Sequence, residues 1–187
     1  MGIFKPPRRA SGRFWKGLVA MQIFLASDHR GFSLKNKLVA DLTRASLNQS
    51  TPVNIVDLGP TTYNPDDDYN DPAIAVSKAV LDAEKTEEAF GILICGSAIG
   101  VSIQANRIKG IRAAVVTDIE TAIASRDHDD ANIICLSADH LANAADPLEG
   151  EKAYEDLFAT VVKFITTPFS GESRHVRRIN RSDAEVK

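Results

Sequence analysis

The sequence predicts a three-layer α/β/α fold around a five-stranded parallel sheet. Short apolar, β-rich runs alternate strictly with stretches of helical periodicity, the pattern of strands joined by crossover helices. The runs are apolar at consecutive positions, as strands covered on both faces are. They end in glycine or short polar turns, such as Gly59-Pro60 and Gly96-Ser97, which separate strand from helix.

Gln22 to Ser27 is the first run, and Phe32 to Ala45 follows with Leu34, Leu38, Val39 and Leu42 at helical spacing. Val53 to Leu58 is the second strand, and Thr61 to Tyr69 reads as a polar loop in which Asp66-Asp67-Asp68 is a solvated turn. Pro72 opens a helix carrying Ile74, Val76, Val80 and Leu81. Phe90 to Cys95 is the third strand, Ala98 to Ile108 a short helix, Ile111 to Thr117 the fourth strand, Ile119 to Ser125 a helix, and Asn132 to Leu136 the fifth strand. Gly150 to Thr166 is a long helix with Tyr154, Leu157, Phe158, Val161, Val162 and Ile165 on one side, and the tail from Thr167 is polar and basic. Right-handed crossovers suggest the strand order 2-1-3-4-5, a flavodoxin-like or Rossmann-like arrangement. Strands 1 and 3 are then neighbours, and ligands bind beyond the carboxyl ends of the strands at such a switch point.

The 187 residues, 44% hydrophobic and 25% charged, suit one domain with a real core over 21–187. A net charge of −3 and a pI near 5.8 argue against a general nucleic-acid binder. No apolar stretch is long enough to span a bilayer. Cys95 and Cys135 fall in apolar runs and read as reduced thiols, which places the chain in the cytoplasm. Residues 1–20 carry Lys5, Arg8, Arg9, Arg13 and Lys16 and no acid. They read as a basic, disordered extension, with a targeting segment or a true start at Met21 as the competing readings.

Cys95 is the most informative residue. It ends the buried third strand, and Gly96-Ser97-Ala98-Ile99-Gly100 then turns the chain into a helix. A helix start offers free N–H groups and partial positive charge, which favour thiolate over thiol and hold an anion nearby. A base beside an oxyanion-binding loop is what proton abstraction next to a carbonyl requires. Asp28-His29 follows strand 1 and would face this loop, as acid/base groups or as a helix cap and a solvated imidazole. No G-x-G-x-x-G or P-loop lysine is present, so nothing specific points to a nucleotide. His128 and Asp129 precede strand 5, at the amino edge of the sheet. A five-residue strand spans about 17 Å, so His128 would reach Cys95 only from a partner chain, most simply in a two-fold dimer. The His and Asp types there also admit a metal, although contiguous residues rarely converge on one ion. Arg174 and Arg178 are four apart and, on a helix, would share a face able to grip a phosphate; the plain alternative is a solvated basic helix end. Cys135, inside a strand, reads as a small buried hydrophobe.

Taken in order, Ser27-Asp28-His29-Arg30-Gly31-Phe32, Asp57-Leu58-Gly59, Asp68-Tyr69, Gly91 to Gly100, Ala105-Asn106, Gly110-Ile111-Arg112-Ala113, Arg126 to Asn132, and Arg174-His175 with Arg178 resemble the ribose-5-phosphate isomerase B and galactose-6-phosphate isomerase family. The likeness runs from about Gln22 to Ile179. It implies an aldose–ketose isomerase interconverting ribose 5-phosphate and ribulose 5-phosphate, with no metal and no organic cofactor. Cys95 would be the base, and Ser97 with the N–H groups of Gly96, Ala98, Ile99 and Gly100 would stabilise an enediolate. His128 would open the sugar ring, Asp28, His29, Tyr69 and Asp129 would contact substrate, and Arg174 and Arg178 would hold its phosphate. The resemblance implies a homodimer or dimer of dimers, with no nucleic-acid or membrane partner. An isomerase of another pentose or hexose phosphate, a non-catalytic sugar-phosphate binder and a flavin or nucleotide protein are the alternatives. Three departures stand out: Asp129 where the family usually has Asn, Asp139 where it commonly has Arg, and Glu172-Ser173 where it has two glycines. If Asp129 and Asp139 both face the phosphate, like-charge repulsion is expected to weaken binding.

Overall fold

A computed structural model of the chain describes residues 21–47, 53–142 and 147–185; the basic head at 1–20 lies outside them. Five parallel strands, β1 (Met21–Ser27), β2 (Val53–Asp57), β3 (Glu88–Cys95), β4 (Ala113–Val115) and β5 (Ile133–Ser137), form one sheet. The helices are α1 (Phe32–Ser46), α2 (Asn70–Ala83), α3 (Ile99–Ala105), α4 (Ile119–Asp127), α5 (Ala138–Ala142), α6 (Pro147–Thr166) and α7 (Ser173–Glu185).

The α/β/α class is as expected, but the strand order is β2-β1-β3-β5-β4, so the expected 2-1-3-4-5 is corrected at its last two places. The physical reason is burial. Ile133 to Leu136 are all buried, as an interior strand requires, whereas β4 shrinks to three residues and leaves Val115 45% exposed. The more apolar strand takes the inside place. Asn106 then closes α3 onto β4, its side chain donating to the Ala113 carbonyl and accepting from the Ala113 N–H, both at 2.8 Å.

Each face of the sheet has its own core. On one, Leu34, Leu38 and Leu42 of α1 and Val161 and Phe164 of α6 cover Ile23, Leu25, Phe90, Ile92, Ile94 and Ile134. On the other, Ala73, Val76 and Val80 of α2 with Val101 and Ala105 of α3 cover Phe24, Ala26, Leu93, Ile133 and both cysteines. Burying one such large side chain contributes about 1.5–3 kcal/mol. The tail beyond Thr167, read as polar, forms α7. Only His175 and Ile179 of that helix are buried, and an inward face two residues long is too sparse a periodicity to read from sequence. No helix among the described residues is long and apolar enough to cross a membrane.

Register places the loops. Ser27 pairs with Ile94, and the Asp28 N–H donates to the Ile94 carbonyl at 3.2 Å, which sets Asp28 alongside Cys95. Cys95 pairs on its other side with Ser137. Gly31 makes the first approach possible: a Cβ there would lie 2.7 Å from Ile94 Cγ2 and 2.8 Å from the Ile94 carbonyl oxygen. We expect Gly31→Ala to lower stability by about 1–3 kcal/mol, the usual penalty of overpacking, measured by urea denaturation.

Candidate active site

The carboxyl edge gathers the first set of residues. Cys95 is 4% exposed and closes β3 at the mouth of the loop, whereas Cys135 is fully enclosed and its thiol is pushed far up by burial. The Gly96 carbonyl accepts from the Ser137 hydroxyl at 2.7 Å and from the Asp139 N–H at 3.0 Å, which fixes the loop to the end of β5. Ala98 has φ +66°, a left-handed conformation that costs on the order of 1 kcal/mol in a residue with a Cβ. Ser97 is exposed; its Oγ accepts weakly from the Ile99 N–H at 3.4 Å, leaving the hydroxyl proton to donate elsewhere. The Tyr69 ring lies on Gly100, where a Cβ would come within 2.9 Å of Tyr69 Cζ.

Asp28 and His29 stand beside this loop. Asp28 is buried and accepts from the Gly31 N–H at 3.1 Å. Burial pushes its carboxyl above the ordinary carboxylate range, and the Gly31 bond and the neighbouring His29 offset part of that rise. His29 is held by Asp67, one of whose oxygens accepts the His29 backbone N–H at 3.0 Å and lies 2.7 Å from Nδ1. The expectation of a solvated Asp66-Asp67-Asp68 turn is therefore corrected at Asp67. The signal was available: β2 flanks β1, so the loop after β2 must lie beside the loop after β1. Arg30 pairs with Asp139, so the acid expected to repel a phosphate instead meets a guanidinium in the same chain. Both side chains lie over Gly96.

The amino edge gathers the second set. His128 caps α4, is half exposed, and lies with Nε2 3.3 Å from Asp127 Oδ2. Its ring centroid is 4.6 Å from that of the buried His175, whose Nδ1 lies 2.9 Å from Ser170 Oγ. Ser170 in turn donates its hydroxyl to the Asp127 carbonyl, which fastens the start of α7 to the His128 turn. Arg112 donates through Nε to the Asp129 and Asp130 carbonyls and through Nη2 to the Asp130 carboxylate. Asp129 is exposed; with Arg178 it lines a cleft of about 370 Å³ beside α7. Arg174 and Arg178 lie on the exposed side of that helix, and Arg174 Nε is 2.8 Å from Glu172 Oε2.

One chain thus brings together Cys95, Gly96, Ser97, Ala98, Ile99, Gly100, Asp28, His29 and Tyr69, and keeps His128, Asp129, Arg174 and Arg178 at the opposite end of the sheet. Asp28 yields a test at this stage. A carboxyl whose folded pKa lies above its unfolded value favours the protonated fold. Its cost is absent below the unfolded pKa and grows as pH rises through the folded one. We expect Asp28→Asn to be more stable than the parent at pH 7 and to lose that advantage near pH 3, measured by urea denaturation at both pH values.

Comparisons with known proteins identify the family. The family model for Ribose/Galactose Isomerase matches residues 23–181. Ribose-5-phosphate isomerase B of Mycolicibacterium paratuberculosis is 33% identical over 160 residues, covering 86% of this chain and 88% of that enzyme. The crystal structure of ribose-5-phosphate isomerase B from Mycoplasma genitalium with bound ribulose-5-phosphate superposes with a TM-score of 0.72 at 35% identity, covering 88% of this chain and 95% of that one. The enzyme from Thermotoga maritima gives the same TM-score at 35% identity, covering 87% and 97%. On this match across almost the whole described fold, the chain belongs to the ribose/galactose isomerase family.

Proposed function

We propose that this chain interconverts ribose 5-phosphate and ribulose 5-phosphate through an enediolate, with Cys95 as the base. The observation that carries the proposal is the placement of Cys95 and the Gly96–Gly100 loop beside Asp28 and His29, at the switch point between β1 and β3. Cys95 would take the proton from C2 of the aldose and return it to C1. The Ser97 hydroxyl and the loop N–H groups would meet the oxyanion, where each well-aimed donor is worth about 3 kcal/mol. Asp28, His29 and Tyr69 would bind the sugar hydroxyls. The free thiols of Cys95 and Cys135 suit a reducing compartment, and we assign the protein to the cytoplasm.

The site is completed, in this proposal, by a second copy of the chain. His128, Asp129, Arg174 and Arg178 of the partner subunit would open the furanose ring and hold the phosphate. Two observations support it. Ring-opening and phosphate groups stand a strand length, roughly 17 Å, from Cys95 within one chain. Exposed apolar side chains also stand in all three layers: Ile99 and Ile103 on α3, Val115 on β4 and Ile123 on α4. Exposed apolar side chains of this size, with Ile99 following the catalytic loop directly, suit a symmetric interface.

Two experiments test these points. Cys95→Ala is expected to cut ribose 5-phosphate turnover by about 10²–10⁴-fold with an unchanged thermal melt, and undiminished turnover removes Cys95 as the base. Mixed dimers of Cys95→Ala and His128→Ala chains are expected to regain turnover, because one of their sites is then intact; purified heterodimers without any gain would place His128 outside the partner's site.

A further inference from the structure

We infer that Ser137, at the end of β5, is a positioning residue for the catalytic loop: its hydroxyl locks the Gly96–Ser97 peptide so that the Ser97 N–H is turned toward the substrate oxyanion. The inference rests on the isomerase function proposed above and adds no bond-making step to it. The Ser137 hydroxyl donates to the Gly96 carbonyl at 2.7 Å and accepts the His140 N–H at 3.2 Å, so one side chain caps α5 and holds the loop. The Asp139 N–H donates to the same carbonyl at 3.0 Å. Two donors on one oxygen fix its direction. A trans peptide is planar, with its C=O and N–H opposed. β3 lies between β1 and β5, and the Gly96 carbonyl is drawn to the β5 side. The Ser97 N–H is thereby aimed at the β1 side, where the register sets Asp28. Among the described residues no hydrogen bond takes that N–H, so it is free to donate to a ligand.

The lock is needed because position 96 is glycine. Glycine restrains its own dihedrals less than any other residue, so the peptide after it depends on an outside restraint. The structure also shows why glycine stands there. Arg30, from the loop after β1, pairs with Asp139, and a Cβ on Gly96 would come within 3.0 Å of Asp139 Oδ2 and 3.6 Å of Arg30 Nε. That ion pair leaves little room for a side chain, and the Ser137 hydroxyl supplies the restraint instead. Orientation of the peptide matters when the C2 proton leaves. Cys95 takes that proton, the C2–H electrons form the C1=C2 bond, and charge gathers on the C1 oxygen. A donor aimed beforehand at that oxygen is worth more to the charged state than to the carbonyl that precedes it, so it acts on kcat rather than on binding. Ser137 touches no reacting atom and acts through the Gly96–Ser97 peptide.

The test compares Ser137→Ala, Ser137→Asp and Ser137→Thr with the parent in three readings. These are turnover of ribose 5-phosphate, affinity for a planar phosphorylated hydroxamate that mimics the enediolate, and affinity for ribitol 5-phosphate, which has no carbonyl. Ser137→Ala is expected to lower kcat about tenfold, a part of the roughly 10²–10³-fold lost when an oxyanion donor is removed outright. Its KM is expected to change by less than about twofold, the mark of an interaction made in the transition state. Affinity for the hydroxamate is expected to fall by about the same factor as kcat, while affinity for ribitol 5-phosphate stays. Ser137→Asp keeps an acceptor for the His140 N–H but has no proton for the Gly96 carbonyl, so it preserves the cap and removes the lock. It is expected to lower kcat and the ratio of the two affinities as Ser137→Ala does. Ser137→Thr keeps the hydroxyl and is expected to recover most of the turnover. Undiminished kcat in either Ser137→Ala or Ser137→Asp overturns the lock. So does an equal fall in both affinities, the result of a merely structural role. A parent chain that turns over no ribose 5-phosphate overturns the function beneath, whereas an active parent beside an equally fast Ser137→Ala overturns the lock alone.

Discussion

The parallel pairing of β1 with β3 runs unbroken from Met21 with Glu88 to Ser27 with Ile94, and the Asp28 N–H extends it one bond further to the Ile94 carbonyl. Two chemically loaded loops leave the sheet side by side because of that bond. No side chain intervenes there: Gly31 fits against Ile94 only without a Cβ. The loops on the outer flanks then lean on these two. The loop after β2 brings Asp67 to His29 and Tyr69 to Gly100, and the end of β5 brings Ser137 and Asp139 to the Gly96 carbonyl. The pocket is an outcome of strand order before it is an outcome of side-chain choice.

Much of this was legible in the sequence. Unbroken apolar runs marked the interior strands, and Cys95 stood out because glycine follows it directly where such a run ends. The order of the last two strands was not legible, since a crossover of either length fits the chain; only relative burial separates the buried Ile133–Leu136 run from the short β4. The pairing of Arg30 with Asp139 joins residues 109 apart, and nothing in local pattern announces such a partnership. Asp67 was hidden by its surroundings, because an acid between two acids in a polar loop reads as solvated until the neighbouring loop is seen.

The amino edge is held by a different device. Arg126 is almost wholly buried, stacked 4.9 Å from the Phe90 ring centroid and 5.8 Å from that of Phe164, with Nη1 donating to Asp130 Oδ1 and to the Ala131 carbonyl. Asp130 therefore sits between two guanidiniums, those of Arg126 and Arg112, and holds φ at +46°. A buried charge is tolerated where partners of this quality surround it, and the same network fastens the turn ahead of β5. His128 and Asp129 are carried on that turn, and Ser170 ties the arginine-bearing helix to it.

Separation along the sheet has a consequence for how this protein tolerates change. Residues more than about 7–10 Å apart with no shared partner alter folding free energy independently. Substitutions around Cys95 and around His128 should then add like unrelated quantities when unfolding is measured. Under a site shared between subunits they would mask one another when rate is measured, the second loss costing less than it does alone. The two ends of the chain are strangers thermodynamically and colleagues kinetically, so variation can be screened at each end for folding before the ends are ever tried in combination.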